Sequence, residues 1–378
     1  MADTEDVKDR LHRVTSTCPG QWLYLLGDEG VVYSEAQNRF AGLDAVGVSA
    51  YRAFDAGAQV EDLSGFGHPS HSLPAWVDRL EAVYALSQGN FPAEKPRLEW
   101  PVLESARTAN VEIHGIPVCL EYPIGPWENL CRDYVLNCPA TAQPARCHLL
   151  ARHAGDGWAI DGNGCELLSG LRDEQIGLGL LHAVRSLLYA EAEYDVAFHA
   201  AMVADRNRGI LLSAPREVGK STLAAYLAAR GFELLTDEPT LLHLDTYSVS
   251  PLRLPISLKE GSWDMLRQDW PQLVGTPMHV RSDGTRIRLL HPPPQSVVSR
   301  RLTYIVFPEY CPSSVAHKER VSPLHALSLL NEGGMLLAKH AAQETFEAFL
   351  GFVCRTPAYA VRYAALEEAE RMISGLTV

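Results

Sequence analysis

One short segment constrains the fold of this chain more than any other. Residues 209–212 are apolar, a tight loop follows, and Gly219-Lys220-Ser221-Thr222 then opens a stretch with helical spacing. A strand, a loop and a helix in this order bring backbone amides into a concavity that holds phosphate oxygens. The Lys220 ammonium reaches the outer phosphates, and the Ser221 hydroxyl can bind Mg²⁺. We therefore predict a phosphate-binding loop, with an ordinary strand–helix turn as the alternative.

The loop departs from the usual pattern. Ala214 stands where the pattern begins with Gly, and Arg216 and Glu217 occupy positions that are often small. A carboxylate beside a triphosphate is unfavourable unless its side chain points away. Because the loop backbone does most of the phosphate binding, we expect Ala214 and Val218 to take part and Glu217 to face solvent.

A pair of acidic residues follows one helix later. The pattern predicts a helix over residues 221–230, ended by Gly231, and a strand over residues 232–236 that returns beside and parallel to the first strand. Asp237 and Glu238 then lie at the carboxyl end of that strand, the edge where open α/β sheets bind ligands. Two adjacent carboxylates there can hold Mg²⁺ and accept a proton from an attacking hydroxyl. A helix-capping or turn pair is the alternative.

A histidine, His199, precedes the loop by about twenty residues. Residues 196–203 are predicted to form one strand that enters a turn at residues 205–209. An isolated His in an apolar stretch is usually a hydrogen-bonded core residue, so spacing alone does not favour a catalytic role.

Taken together, these features resemble the C-terminal catalytic domain of HPr kinase/phosphorylase and of its relatives, the HPr-kinase-related serine kinases. The resemblance rests on Phe198-His199-Ala200-Ala201, the Gly-Lys-Ser-Thr loop, the acidic pair and Pro255-Ile256-Ser257-Leu258-Lys259. It implies an α/β fold with a P-loop kinase domain, ATP and Mg²⁺ as cofactors, and a serine hydroxyl of a peptide or protein as acceptor. Some relatives act on ribosomally made peptide precursors.

The resemblance also implies residue roles. Asp237 would be the base or would help Ser221 hold the metal, with Glu238 in the partner role. His199 would lie near the reacting centre, and Lys259 would approach the phosphates or the substrate. The residues assigned to phosphate and Mg²⁺ binding are Gly219, Lys220, Ser221 and Thr222. The chain lacks the long glycine- and arginine-containing signature of true HPr kinases, which argues against HPr as the acceptor and against the reverse phosphorylase reaction.

The N-terminal part of the chain has a different pattern. Residues 21–26 and 31–34 predict a hairpin, and residues 43–55 predict a helix. This small α+β pattern is similar to the winged-helix-like peptide-binding domain of the PqqD-like peptide chaperones, which add a leader-peptide strand to a sheet edge. A structural or dimerising domain is the alternative.

A boundary is predicted where three prolines fall between residues 89 and 101. It divides the chain into a small domain over residues 1–97 and a kinase domain over residues 98–378. Within the larger domain, alternating apolar residues predict strands on both sides of Gly115, and residues 175–191 predict an apolar helix.

The composition of the chain indicates which kinds of binding partner are expected. The net charge is −13, and an acidic surface repels phosphate backbones, so neither nucleic acid nor an anionic membrane is expected as a partner. The eight cysteines form no C-x-x-C pair and are predicted to be reduced core residues. No stretch approaches the ~20 apolar residues that span a bilayer, which predicts a cytoplasmic protein. A homo-oligomer is the expected assembly.

Three functions stay open at this point. The first is a kinase acting on a serine of a peptide or protein, and the second is a kinase of a small hydroxylated molecule. The third, suggested by the altered loop, is a nucleotide-responsive binding or scaffold protein with little catalysis. The acidic pair favours catalysis, because binding alone needs no base beside the γ-phosphate. The N-terminal domain favours a peptide acceptor.

Overall fold

The computed structural model describes most of the chain outside residues 57–105. The described residues are 11–15, 20–35, 38–56, 106–125, 128, 131–132, 135, 138–206, 208–215, 217–281, 284–292, 298–338 and 341–376. The chain divides into two compact units. The smaller unit contains Met1–Ala93, Arg320–Glu332 and Leu337–Ala358, and the larger unit contains the remainder. The boundary predicted between residues 97 and 98 lies outside the described residues and stays a prediction.

Strands dominate the described part of the chain, and the fold class is mixed α/β with several sheets, as predicted. The strands are β1 (Leu11–Thr15), β2 (Gln21–Leu26), β3 (Glu29–Ser34), β4 (Arg39–Leu43), β5 (Ala106–Ile113), β6 (Ile116–Pro123), β7 (Cys147–Ala154), β8 (Gly157–Gly162), β9 (Cys165–Leu171), β10 (Val196–Phe198), β11 (Ala201–Asp205), β12 (Arg208–Leu212), β13 (Glu233–Thr236), β14 (Thr240–His243), β15 (Ser248–Val249), β16 (Ile256–Lys259), β17 (Met278–Val280), β18 (Arg286–Leu290), β19 (Arg300–Tyr310), β20 (His317–Val321), β21 (Met335–Leu337) and β22 (Ala358–Tyr363).

Helices connect and cover these sheets. The α-helices are α1 (Ala45–Asp55), α2 (Ile176–Glu191), α3 (Lys220–Ala229), α4 (Glu260–Leu266), α5 (Pro323–Gly333), α6 (Gln343–Arg355) and α7 (Leu366–Ser374), with short 3₁₀ helices at Asp173–Gln175 and Pro271–Gly275. Among the described residues, no helix combines the length and the apolar character needed to cross a membrane.

The smaller unit is built on a four-stranded antiparallel sheet in the order β1-β2-β3-β4. The predicted hairpin is confirmed, since Gln21 pairs with Ser34 and Leu26 pairs with Glu29. The predicted helix is also confirmed as α1, which buries Val48 and Tyr51 in a cluster with strand residues Leu23, Val32 and Leu43. Successive side chains of a strand point to opposite faces, so Tyr24 and Tyr33 face the other side of the sheet.

That other face is covered by helix α6. The ring of Phe346 stacks on Tyr33 with a centroid distance of 4.3 Å and lies 5.5 Å from Tyr24 and 5.4 Å from Phe40. Phe346 is fully buried. A segment more than 300 residues from the N-terminus therefore completes the core of the N-terminal sheet, which no local pattern indicates.

Phe346→Leu is expected to destabilise the protein by roughly 1–3 kcal/mol, because it keeps apolar bulk but removes the aromatic stack and its close packing. The measurement is urea unfolding of the full chain. The same substitution at Phe40, which is only partly buried, should cost less. Equal losses at the two positions would contradict a central role for Phe346.

The larger unit contains a five-stranded sheet in the order β5-β6-β7-β8-β9, covered by α2. The predicted strands around Gly115 are confirmed, because Ile113 pairs with Ile116 across a turn in which Gly115 has a φ of +75°. The predicted apolar helix is confirmed as α2, one residue shorter at its start.

A second, mixed sheet of the larger unit carries the phosphate-binding segment. Its order is β13-β11-β12-β19-β15-β14-β10-β21, with β22 also beside β19, and β12 and β19 run parallel. Helices α3 and α7 pack against it. A separate small sheet has the order β16-β18-β17.

The prediction that the strand after the helix returns directly beside the first strand was wrong. β11 forms an antiparallel hairpin with β12 and occupies that position, and β13 pairs with the far side of β11. Because β13 and β12 are both antiparallel to β11, they still run in the same direction. Their carboxyl ends therefore reach the same edge of the sheet.

The single strand predicted over residues 196–203 was also wrong. The chain forms β10, which pairs with β14, and then β11, which pairs with β12 and β13. The break falls at His199 and Ala200, where the chain changes neighbours. The Thr240 hydroxyl donates to the Ala200 carbonyl at 2.8 Å and satisfies the backbone at this break.

Burial limits the reactivity of the cysteine thiols. The described cysteines are free thiols, and Cys119, Cys131, Cys138 and Cys147 are buried, whereas Cys18 lies outside the described residues. Burial raises the pKa of the Cys131 and Cys138 thiols to about 12. Such thiols are poor nucleophiles at neutral pH. The prediction of core residues is confirmed for the four buried cysteines, whereas Cys165, Cys311 and Cys354 are only partly buried.

Candidate active site

The phosphate-binding segment has the predicted local structure. β12 ends at Leu212, the Ser213 amide donates to the Val306 carbonyl at 3.0 Å, and a loop then leads to α3. Gly219 begins the helix with a φ of +94°, a left-handed conformation that favours Gly. Gly231, with the same φ, lies just past the end of the helix, as predicted. The helix begins one residue earlier than predicted, at Lys220.

Lys220 lies against the loop backbone. Its side chain is largely buried, and its ammonium donates to the carbonyl oxygens of Ala214 at 2.6 Å and Pro215 at 3.0 Å. The cation is therefore held against the carbonyl oxygens at the start of the loop. Val218 lies in the same loop, and Thr222 lies in the first turn of α3.

Glu217 points away from the loop, as predicted. Its side chain is 75% exposed, and its carboxylate lies 2.7 Å from the Lys259 ammonium at the end of β16. Glu217 also has a φ of +73°, which explains why Gly is common at this position of such loops. Lys259, which was expected near the phosphates or substrate, reaches the rim of the loop and is paired there with Glu217.

Glu217→Gly is expected to change ATP affinity less than about fivefold, because an exposed ion pair contributes only about 0–1 kcal/mol. Gly also accepts the left-handed conformation without strain. The measurement is the affinity for Mg-ATP of wild type and Glu217→Gly, with Glu217→Gln as the variant that removes the charge alone. A large gain in affinity in both variants would mean that Glu217 repels the phosphates and would favour the scaffold hypothesis.

Asp237 follows β13 and lies beside the phosphate loop. It is only 8% exposed, and the Ser221 hydroxyl lies near enough to its carboxylate to lower its pKa. Burial raises the pKa of Asp237, against the opposing effects of Ser221 and of the Arg185 charge. Among the described residues, the Oδ1 atom of this carboxylate has no hydrogen-bond partner. A buried oxygen of this kind calls for a further ligand.

These donors fit a Mg²⁺ ion. Carboxylate and hydroxyl oxygens are hard ligands, and Mg²⁺ is commonly held by one or two carboxylates together with substrate phosphates. The described part of the chain contains no cluster of three His, Cys, Asp or Glu side chains arranged to hold a metal. Ser221 and Asp237 are the residues that could hold such an ion together with a bound nucleotide.

Glu238 points to a different set of partners. Its carboxylate lies 2.6 Å from Nδ1 of His199 and 3.0 Å from the Arg185 guanidinium. Burial opposes ionisation, but the His199 hydrogen bond and the charges of Arg185 and Lys220 outweigh it, so the pKa of Glu238 is lowered. Since the carboxylate is ionised and can only accept, His199 donates through Nδ1–H. In the neutral imidazole the lone pair is then on Nε2.

Sequence reasoning missed Arg185. It lies within α2, where it is set in an otherwise apolar stretch, and its charge acts on both Asp237 and Glu238. A lone Arg inside an apolar helix is the signal that marks it, because a buried guanidinium needs an acidic partner.

The pair Gly333-Gly334 was missed as well. The Gly334 carbonyl accepts the His199 amide at 2.7 Å, and Gly333 lies directly against Ser213. Two glycines after a helix indicate only a helix end. Their approach to the site depends on long-range packing and has no local signal.

The structure thus gathers most of the predicted site residues at one edge of the sheet. Lys220 and Ser221 come from the loop and helix start, Asp237 and Glu238 from the end of β13, and His199 from the break after β10. Comparison of the chain with protein-family models and with curated proteins found no match. The function of the chain is therefore inferred from this geometry.

Proposed function

We propose that this protein is an ATP-dependent kinase that transfers a phosphoryl group to a serine hydroxyl of a peptide or protein. The observation that carries the proposal is the buried Asp237 carboxylate beside Ser221 of the phosphate loop, with the Glu238–His199 pair next to it. A protein that only binds nucleotide has no need of a second acidic residue hydrogen-bonded to an imidazole at this position. The larger unit is proposed to be a P-loop kinase domain of the HPr-kinase type.

Phosphate binding is assigned to the loop amides and Lys220. The Lys220 ammonium donates to two loop carbonyls, and in the complex it exchanges these neutral acceptors for phosphate oxygens. Hydrogen bonds between ionised partners are roughly twice as strong as neutral ones, so the exchange is favourable. Mg²⁺ held by Ser221 and Asp237 would neutralise the charge that develops on the outer phosphates.

Asp237 could act as a metal ligand or as a general base, and its neighbours favour one of these roles. The Ser221 hydroxyl of the phosphate loop, the Arg185 charge and the Ser257 backbone all favour its ionised form, and an ionised carboxylate beside the loop hydroxyl suits a role in holding the metal. The proton of the acceptor hydroxyl is assigned to Nε2 of His199. Glu238 orients the imidazole through Nδ1, and Arg185 helps to keep Glu238 ionised, as in catalytic pairs where a carboxylate orients a basic His.

The smaller unit is proposed to recruit the acceptor as a winged-helix-like, PqqD-like peptide-binding domain. Within the described residues, β1 and β4 each pair on one side only, and an unpaired strand edge is what an added peptide strand needs. Docking of a leader segment raises the local concentration of the serine to roughly millimolar.

The experiment is to incubate the full chain with Mg-ATP and serine-containing peptides and to analyse the acceptors by mass spectrometry, with Asp237→Asn as the control that is expected to lose most activity. Phosphoserine formed mainly by wild type supports the proposal. Phosphorylation confined to small hydroxylated molecules would replace it with the small-molecule kinase. Tight ATP binding without turnover in the presence of any acceptor would favour the scaffold protein.

A further inference from the structure

The larger unit brings a diglycine against the start of the phosphate loop. A Cβ atom on Gly333 would lie 2.5 Å from Oγ of Ser213 and 3.5 Å from N and O of Ala214. The first distance is shorter than real Cβ atoms show, so no side chain fits unless Ser213 moves. Ser213 is itself 1% exposed, and its amide is bonded to the Val306 carbonyl. Movement of Ser213 would therefore disturb the end of the β12–β19 ladder.

The next residue, Gly334, contacts His199 on the other side of the site. Its carbonyl accepts the His199 amide at 2.7 Å, and a Cβ atom on Gly334 would lie 3.2 Å from Cβ of His199. His199 falls between β10 and β11, where the regular ladder is interrupted. The Gly334 carbonyl thus fixes the backbone of the residue whose imidazole meets Glu238.

A helix end alone does not account for both glycines. Gly334 has a φ of +91°, which a glycine that follows a helix commonly adopts. Gly333 is the last residue of α5 and is not among the residues with positive φ. Its backbone conformation therefore accepts any residue, and only the close approach to Ser213 demands Gly there.

We propose that Gly333 and Gly334 are positioning residues of the active site, and this inference rests on the proposed kinase function. Gly333 sets the position of Ser213 and Ala214, and with them the loop backbone against which the Lys220 ammonium lies before nucleotide binds. Gly334 sets the position of His199. The Gly333-Gly334 segment therefore positions both the phosphate loop, which binds the nucleotide, and His199, which is proposed to accept the proton.

The test begins with Gly333→Ala. The added methyl group displaces Ser213 and Ala214 and misaligns the loop amides, and loss of one hydrogen bond to a charged phosphate weakens binding by about 10- to 100-fold. The affinity for Mg-ATP, measured by titration calorimetry, is expected to fall by about that factor. Ser213→Ala removes the clashing Oγ atom and leaves the next atoms at 3.5 Å. The double variant Gly333→Ala with Ser213→Ala should therefore recover the affinity of Ser213→Ala alone.

Two further variants complete the set. Gly275→Ala is the matched control, because a Cβ there meets nothing within 4 Å and its φ is not positive; its affinity should equal that of wild type. Gly334→Ala should lower kcat for phosphoryl transfer more than it raises KM for ATP, because it displaces His199 rather than the loop. A general loss of stability would not produce this division between kcat and KM.

Wild-type affinity in Gly333→Ala would overturn the inference, and so would a loss that Ser213→Ala fails to repair. If wild type itself binds no Mg-ATP, the proposed function fails and this inference fails with it, which is a distinct result. If Gly333→Ala does not fold, Ser213→Cys is the alternative variant, because its larger Sγ atom crowds Gly333 from the Ser213 side. A folded Ser213→Cys should bind Mg-ATP more weakly, and unchanged binding would overturn the inference.

Discussion

Asp237→Asn is expected to abolish most phosphoryl transfer while the fold is retained. The amide keeps the shape of the side chain, so the packing around this buried position survives. It removes the negative charge beside Ser221, and with it the ligand proposed for Mg²⁺. Loss of such a catalytic group lowers rates by about 10²–10⁴-fold. The measurement is kcat for ADP formation at saturating Mg-ATP, with circular dichroism to verify the fold.

The matched control is Asp264→Asn, the same chemical change at an exposed position on α4. Its kcat should equal that of wild type. Wild-type kcat in Asp237→Asn would contradict the assignment of the metal to Asp237, and Glu238→Gln would then be the variant to measure.

Lys220→Ala is expected to raise KM for ATP by about 10- to 100-fold, since a hydrogen bond to a charged group contributes about 1.5–3 kcal/mol. The ammonium lies beside the Ala214 and Pro215 carbonyls, and no substitute cation is expected from Lys259, which pairs with Glu217. Steady-state kinetics provides the measurement.

Lys318→Ala serves as its control, because that ammonium also donates to backbone carbonyls, those of Met372 and Gly375. The control removes a comparable lysine outside the proposed site and should keep the wild-type KM. An unchanged KM in folded Lys220→Ala would remove the phosphate-loop assignment.

Features that depend on local backbone chemistry could be predicted from the sequence. The strand, loop and helix around Lys220 lie where the pattern predicts them, and Gly231, which is left-handed, ends the helix as predicted. The outward orientation of Glu217 followed from its charge alone. Such features are set within a few residues, so one sequence is enough to predict them.

Strand neighbours could not be predicted in the same way. β11 lies between β12 and β13, and the chain breaks at His199 to change partners. The choice of neighbour depends on which strands compete for an edge, and residues far apart in the chain decide it. The core of the smaller unit could not be predicted for the same reason, because Phe346 stacks on Tyr33 from a distant part of the chain.

Two parts of the site were missed for a related reason. Arg185 contacts Glu238 across 53 residues of sequence, and Gly333 lies against Ser213 from still further along the chain. Motif spacing identifies groups that share a strand–loop–helix unit. It does not identify residues that are distant in sequence and reach the site only in the folded chain.

If the segment from β12 to α3 and the residues after β13 form a Mg-ATP site, the protein binds the nucleotide without any acceptor present. The measurement is calorimetric titration of ATP into the full chain, with and without Mg²⁺, for wild type and Lys220→Ala. We expect saturable binding by wild type that is stronger with Mg²⁺ and is largely lost in Lys220→Ala. Absence of binding by wild type, or equal binding by the two proteins, would contradict it.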